Sequence, residues 1–290
     1  MTKIVFQIAY RLVCVISLLP LGILLKLSYI FYLINWRVLN YRKSTIIYNL
    51  ARSFPEKKYK EIDQIADKYS LHLCRTMTEW IKILTESESS LRSRICIKNE
   101  ELLHKDQDRD LFLVMGHYGN WEMLNTVPMM DKRPLYAIYK NQASEISNLF
   151  SMKMRCRFGA KMLEMKEAPR FILTNKEPSI YVVLADQSPW VLSKRSLTFM
   201  HQTTLVFEGV ERLARPKKGT VLYLEMLPND EKGRTHQITL LPLDTSSEED
   251  ITTQFFAKLE ASITANPQYW LWSHRRWKHS PQVEQKNPHK

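Results

Sequence analysis

The stretch LFLVMGHYGNWEM, Leu111 to Met123, decides how the rest of the chain is read. Leu111 to Met115 is an unbroken apolar run of strand length, and a strand apolar on both faces belongs inside a mostly parallel sheet. Gly116 and Gly119 follow at once, two of only 7 glycines in 290 residues, and they bracket His117. Glycine's tolerance of positive φ lets the chain reverse here, after which Asn120 is placed to cap a new helix and Glu122 falls in its first turn. On one continuous helix His117 and Glu122 would sit roughly 140° apart, because each residue turns about 100°. The bend lets them approach. A carboxylate on one imidazole nitrogen fixes the tautomer and leaves the other nitrogen to take a proton, so the pattern predicts His117 as general base and Glu122 as its orienting partner. A loop histidine held by a backbone carbonyl fits the same residue types.

Outward from this stretch the chain alternates. Ile62 to Leu84 reads as an amphipathic helix, while Pro134 to Tyr139 and Ile180 to Ala185 read as buried strands separated by helical patterns at Glu145 to Phe158 and Glu167 to Thr174. Such alternation predicts an α/β fold with a mostly parallel central sheet flanked by helices. Val221 to Leu227 and His236 to Leu243 flank the turn-rich PNDEKGRT, which predicts a hairpin at one edge of the sheet. Thr203 or Thr204 is placed to cap a helix running to Ala214, and Ser246 to Asp250 is a strong helix start before Ile251 to Ala265. Tyr139-Lys140 and Asp186-Gln187 follow strands just as His117 does. Ligands of open α/β sheets bind at the carboxyl ends of strands, so the three sites are expected to converge.

The first fifty-odd residues differ in composition. From Met1 to Pro55 there is no acidic residue, while Lys3, Arg11, Lys26, Arg37, Arg42, Lys43 and Arg52 are all basic. Arg11 and Lys26 enclose fourteen uncharged residues, LVCVISLLPLGILL, interrupted by Pro20 and Gly22, and LSYIFYLINW follows. A single span needs about 20 apolar residues, so Ile4 to Trp36 either crosses a membrane at a tilt or forms a bent pair of interfacial helices in one leaflet. A buried helical hairpin is the bland alternative. The segment 1–40 is thus expected to be a membrane anchor, and 41–290 the catalytic domain. Arg37, Arg42 and Lys43, closely following the apolar stretch that ends at Trp36, put that domain on the cytoplasmic side of the membrane. The formal charge of +12 and pI near 9.4 point to acidic partners. Cys14, Cys74, Cys96 and Cys156 are scattered without ligand spacing and read as free thiols in a reducing compartment.

The segment GHYGNWE resembles the His-x4-Asp/Glu motif of glycerolipid-type acyltransferases, and its surroundings resemble the late (secondary) acyltransferases of lipid A biosynthesis. The likeness runs in order through SLLPL, YRKSTIIYNLARSFPE (Tyr41 to Glu56), the motif, YKNQ (Tyr139 to Gln142), RCRFGA (Arg155 to Ala160), ADQSP (Ala185 to Pro189) and PQYWLWSHRRWK (Pro267 to Lys278). The resemblance implies His117 as base and Glu122 as its partner, with Arg155 or Arg157 and Asp186 in substrate binding or support of the site. Asn120, Tyr139, Lys140 and Gln187 complete the expected substrate-binding set. The segment after Lys140 lacks the proline common in that family.

Attack of a hydroxyl on a thioester benefits from proton removal, and the oxyanion that develops needs donors, which the start of the new helix or Arg155 and Arg157 are placed to supply. The expected partners are an acyl carrier protein as donor, a glycolipid acceptor and membrane lipids. Other acceptors, a lysophospholipid or an aminolipid, and a catalytically inactive lipid-binding relative are the alternatives. There is no GxSxG elbow, no P-loop and no GxGxxG, and the eight histidines show no metal spacing, so neither cofactor nor metal is expected. Trp270, Trp272 and Trp277 with Arg275, Arg276 and Lys278 are read as an exposed interfacial or phosphate-binding cluster, or as core, rather than as a nucleic-acid surface.

Overall fold

In the computed structural model the described residues are 2–141, 144–189, 193, 195–229, 235–247 and 249–279. The hairpin turn at 230–234, Gln142 of YKNQ and Glu248 of the expected helix start lie outside them. The chain begins with helices α1 (Thr2–Ser17) and α2 (Leu21–Leu33), parted at Pro20, which cannot donate the hydrogen bond a continuous helix needs. From its last turn α2 continues through a π-helical stretch, Ile34–Leu39, that ends at Asn40 in the left-handed region. Helices α3 (Lys43–Ser53), α4 (Tyr59–Lys82) and α5 (Glu88–Ser93) follow.

The remainder alternates as expected: β1 (Ile95–Lys98), α6 (Glu101–His104), β2 (Leu111–Met115), a 3₁₀ segment Trp121–Met129, β3 (Leu135–Tyr139), α7 (Glu145–Arg155), β4 (Lys161–Glu164), α8 (Ala168–Thr174) and β5 (Ile180–Leu184). After these come a small hairpin of β6 (Ser196–Phe199) and β7 (Gln202–Leu205), then α9 (Gly209–Lys217), β8 (Thr220–Pro228), β9 (His236–Pro242) and α10 (Ile251–Ala265). The main sheet has seven strands in the order β1-β9-β8-β2-β5-β3-β4, with every pairing parallel except β8 with β9. Central β2 is buried at every position. Phe112 and Val114 face one apolar cluster with Tyr181 and Tyr223, whereas Leu111, Leu113 and Met115 face the other with Val182 and Leu224. This is the two-period of a strand read out in packing.

Two expectations are corrected. The β8–β9 hairpin lies one strand in from the edge, because β1 pairs in parallel with β9 from Ile95 opposite His236 onward. A four-residue strand carries too little periodicity to announce itself. Thr203 and Thr204 lie in β7, and the helix expected to start there begins at Gly209 behind Glu208. The start of α10 is as expected: the Asp250 side chain accepts from the Thr253 N–H at 2.9 Å.

Leu21–Leu39, 19 residues with a mean hydropathy of 1.3, is long and apolar enough to cross a membrane by length and composition. It is also packed on the domain. Leu24, Ser28, Tyr32 and Trp36, spaced four apart along one face, are buried, and Tyr32 and Trp36 belong to the same core cluster as Phe112.

Candidate active site

The register of the sheet brings the site together. β2 and β5 are parallel neighbours with Met115 opposite Leu184, so the residues two beyond each end, His117 and Asp186, leave the sheet side by side. Asp186 then accepts three bonds: the His117 backbone N–H at 2.8 Å and the Trp270 indole N–H at 2.8 Å on Oδ2, and His117 Nδ1 at 2.6 Å on Oδ1. The orienting carboxylate on Nδ1 is therefore Asp186, where the sequence points to Glu122. Burial works to raise the pKa of Asp186, but His117 and the three hydrogen bonds outweigh it and bring it to about 2. With Nδ1–H donated to this carboxylate, Nε2 carries the lone pair, and it accepts from the Gln187 side-chain amide at 3.1 Å. The imidazole stays reachable, with its side chain 15% exposed.

Glu122 has a different partner. Arg155, at the end of α7, grips it in two-pronged fashion, Nε to Oε2 at 3.0 Å and Nη2 to Oε1 at 2.6 Å, and the Trp121 indole N–H donates to Oε1 at 3.1 Å. Trp121 in turn sets its ring edge-to-face with the His117 imidazole, 5.3 Å between centroids. Burial acts against the charge of Arg155, yet Glu122 outweighs it and the guanidinium pKa is raised. Thus buried Glu122 and half-buried Arg155 form a pair that fixes the wall against which the imidazole rests. Arg157 donates instead to the Ile83 and Glu86 carbonyls just beyond α4, closing the end of that helix. Tyr139 ends β3 and Lys140 follows it, on the same sheet border but beyond β5 from His117.

The loop depends on its second glycine. Gly119 has φ 67°, and a Cβ there would lie 1.5 Å from the Met226 carbonyl oxygen of β8. No other residue fits. The C-terminal segment completes the loop's hydrogen bonding: Gly119 N–H donates to Tyr269 O at 2.9 Å and Leu271 N–H to His117 O at 3.0 Å, an antiparallel bridge centred on Tyr118 and Trp270. Asn120 does not cap the 3₁₀ segment as expected. Its amide donates to Glu79 Oε2 of α4 at 2.6 Å, and Glu79 is paired with His236 Nε2 at 3.0 Å. Burial pushes the Glu79 pKa up, but His236, Arg94 and Asn120 reverse this and leave it lowered.

Sequence pattern does not single out Trp121, Glu79 and His236, and it places Trp270 in the C-terminal cluster without its bond to Asp186. The C-terminal cluster was expected at the surface, and this is corrected for Arg276. Its side chain is buried with Nη2 donating to Leu205 O at 2.8 Å, and burial lowers its pKa to about 10. Trp270, Trp272 and Trp277 are buried and pack on one another, so the core reading of the tryptophans holds. Arg275 and Lys278 are exposed.

Two histidines beside the site make the fold acid-sensitive. Burial lowers both His72, whose Nε2 lies 3.2 Å from Gly119 O, and His274 to about 4. Each remains neutral in the fold while the unfolded chain takes a proton below about 6.5. Their contribution to stability is complete above that pH and is lost as pH falls towards 4, by about 3 kcal/mol at most for each. The thermal midpoint, followed by circular dichroism, is expected to fall steeply between pH 6.5 and 4. A midpoint that is flat across this window contradicts the buried neutral state of both rings.

A sequence model described as bacterial lipid A biosynthesis acyltransferase matches residues 3–279, nearly the whole chain. No curated protein matches it.

Proposed function

The chain belongs to the bacterial lipid A biosynthesis acyltransferase family, and we propose that within it the protein is a membrane-bound O-acyltransferase of the late type. It moves a fatty acyl chain from the thioester of an acyl carrier protein to a hydroxyl of a lipid A precursor at the inner face of the cytoplasmic membrane. The observation that supports this chemistry is the 2.6 Å bond from His117 Nδ1 to Asp186. It leaves Nε2 as a base with no protein nucleophile needed. The acceptor hydroxyl takes the place of the Gln187 amide at Nε2 and gives its proton to that nitrogen as its oxygen bonds to the thioester carbon. The carbonyl becomes an oxyanion, for which the displaced Gln187 N–H is a nearby donor. When the oxyanion collapses, the carbon–sulfur bond breaks and the leaving thiolate recovers the proton from Nε2.

Acyl carrier proteins are acidic and lipid A precursors are phosphorylated, so the charge of +12 suits both partners. Total lipids from a deletion strain and its parent, compared by mass spectrometry, test the reading. The expected result is a lipid A lighter by one acyl group, restored by the intact gene. Unchanged lipid A with a lighter phospholipid or aminolipid moves the activity to that acceptor. No change in any lipid class makes the protein an inactive relative.

A further inference from the structure

The N-terminal helices have two faces. One is fastened to α4 along its length: Tyr32 OH donates to Asp67 at 2.6 Å, Lys43 lies 3.9 Å from Asp63, and Lys82 Nζ donates to the carbonyls of Ser17 and Leu19 at 2.9 and 3.0 Å. Ser17 Oγ adds a bond to Ile81 O at 2.9 Å. From Asp63 to Lys82 this is about 28 Å of helix, close to the thickness of a bilayer's hydrocarbon core. Over that length α4 carries Asp63, Asp67, Lys68, Arg75, Glu79 and Lys82. If Leu21–Leu39 spanned a membrane in this arrangement, α4 would have to enter the hydrocarbon beside it, with a desolvation cost for each of those charges. Peeling α2 away instead would strip Tyr32 and Trp36 from the core.

The other face is apolar and exposed. Ile23, Leu27, Ile30, Phe31, Ile34 and Val38, at the spacing of one helical stripe, are 46 to 70% exposed. Ile8, Leu12, Val15 and Ile16 of α1 are also exposed. Within the segment itself the charge is of one sign, with no acidic residue up to Pro55, and Asp63 and Asp67 of α4 beside it are paired with Lys43 and Arg37. Aromatic rings carry cations directly after it: Lys43 over Trp36 at 4.5 Å, Arg42 over Tyr41 at 5.6 Å and Arg52 over Tyr48 at 5.6 Å, with Tyr41 and Tyr48 half exposed. The exposed tyrosines Tyr41 and Tyr48 beside Arg42 and Arg52 suit the headgroup layer, where anionic lipids favour the cations.

The geometry points to a monotopic seat: α1 and α2 lie along one leaflet of an anionic bilayer with their outer face in the acyl region and α3 at the headgroups, and the chain does not cross. This rests on the membrane-bound reading above, and the experiment separates the two. The full-length protein is tagged at both ends and expressed in bacteria, and protease access to each tag is compared in cells with a permeabilised outer membrane and in inverted inner-membrane vesicles. The expected result is that both tags are cut in inverted vesicles and neither in cells. An N-terminal tag cut only from the outside, with the C-terminal tag cut only from the inside, overturns the seat and leaves a membrane-bound enzyme. Protein that does not sediment with membranes at all overturns both.

A second measurement uses the purified protein with vesicles of phosphatidylcholine, with and without roughly one quarter phosphatidylglycerol. Binding should rise with the anionic lipid and fall with salt. The pair Ile30→Glu and Phe31→Glu should weaken it about tenfold or more at unchanged circular dichroism. Binding unaffected by both the lipid charge and this pair places the membrane contact elsewhere and overturns the seat.

Discussion

His117→Ala is expected to lower acyl transfer by roughly 10² to 10⁴, the range of general-base removal, while the protein still folds. The side chain sits in a loop at a strand end, and its loss leaves Asp186 with two of its three donors, the His117 backbone N–H and the Trp270 indole. Destabilisation of about 1 to 2 kcal/mol follows from removing the third. Transfer is measured with an acyl carrier protein thioester and a lipid A precursor, and folding by near-ultraviolet circular dichroism. Because the thioester is itself reactive, residual turnover from binding and oxyanion donors is expected to survive. A folded, membrane-bound alanine variant with full activity removes His117 from the chemistry altogether.

What could be read from sequence follows the range of the interactions involved. The strand Leu111 to Met115, the reversal at Gly116 to Gly119 and the start of α10 are marked by residues a few positions apart, so local pattern is enough to find them, although what requires Gly119 is the distant Met226 carbonyl. β1 and β4 are four residues long and half buried, so neither alternation nor an apolar run marks them. The partner of His117 Nδ1 escapes local pattern for the same reason. Glu122 is near His117 along the chain, whereas Asp186 is 69 residues away and reaches it only through the register of β2 with β5. Both carboxylates stood among the candidate residues, but only the sheet decides which one meets Nδ1. Around Arg276 a run of alternating tryptophans and cations reads as a surface cluster, while tertiary packing folds the segment inward onto Leu205 and Phe256.

Asp186→Asn is expected to cost roughly 10² to 10⁴ in transfer, approaching but not exceeding loss of the base itself, because it acts through the tautomer of that base. Asp186 accepts one N–H on Oδ1 and two on Oδ2. An asparagine has one acceptor oxygen, and turning it towards the two fixed donors sets its NH₂ against His117 Nδ1. The ring relieves this by moving its proton to Nε2, the atom that must be free to accept one. Glu122→Gln removes the charge that holds Arg155 and loosens Trp121, so activity should fall by roughly 10², yet the bond from Nδ1 to Asp186 persists. Nitrogen NMR of labelled histidine distinguishes the two variants. The Nδ1–H tautomer of His117 should be lost in Asp186→Asn and kept in Glu122→Gln, and His117→Ala combined with Asp186→Asn should be little worse than His117→Ala alone. The reverse outcome, with the tautomer lost in Glu122→Gln and retained in Asp186→Asn, would make Glu122 the orienting carboxylate and leave Asp186 a support for the loop.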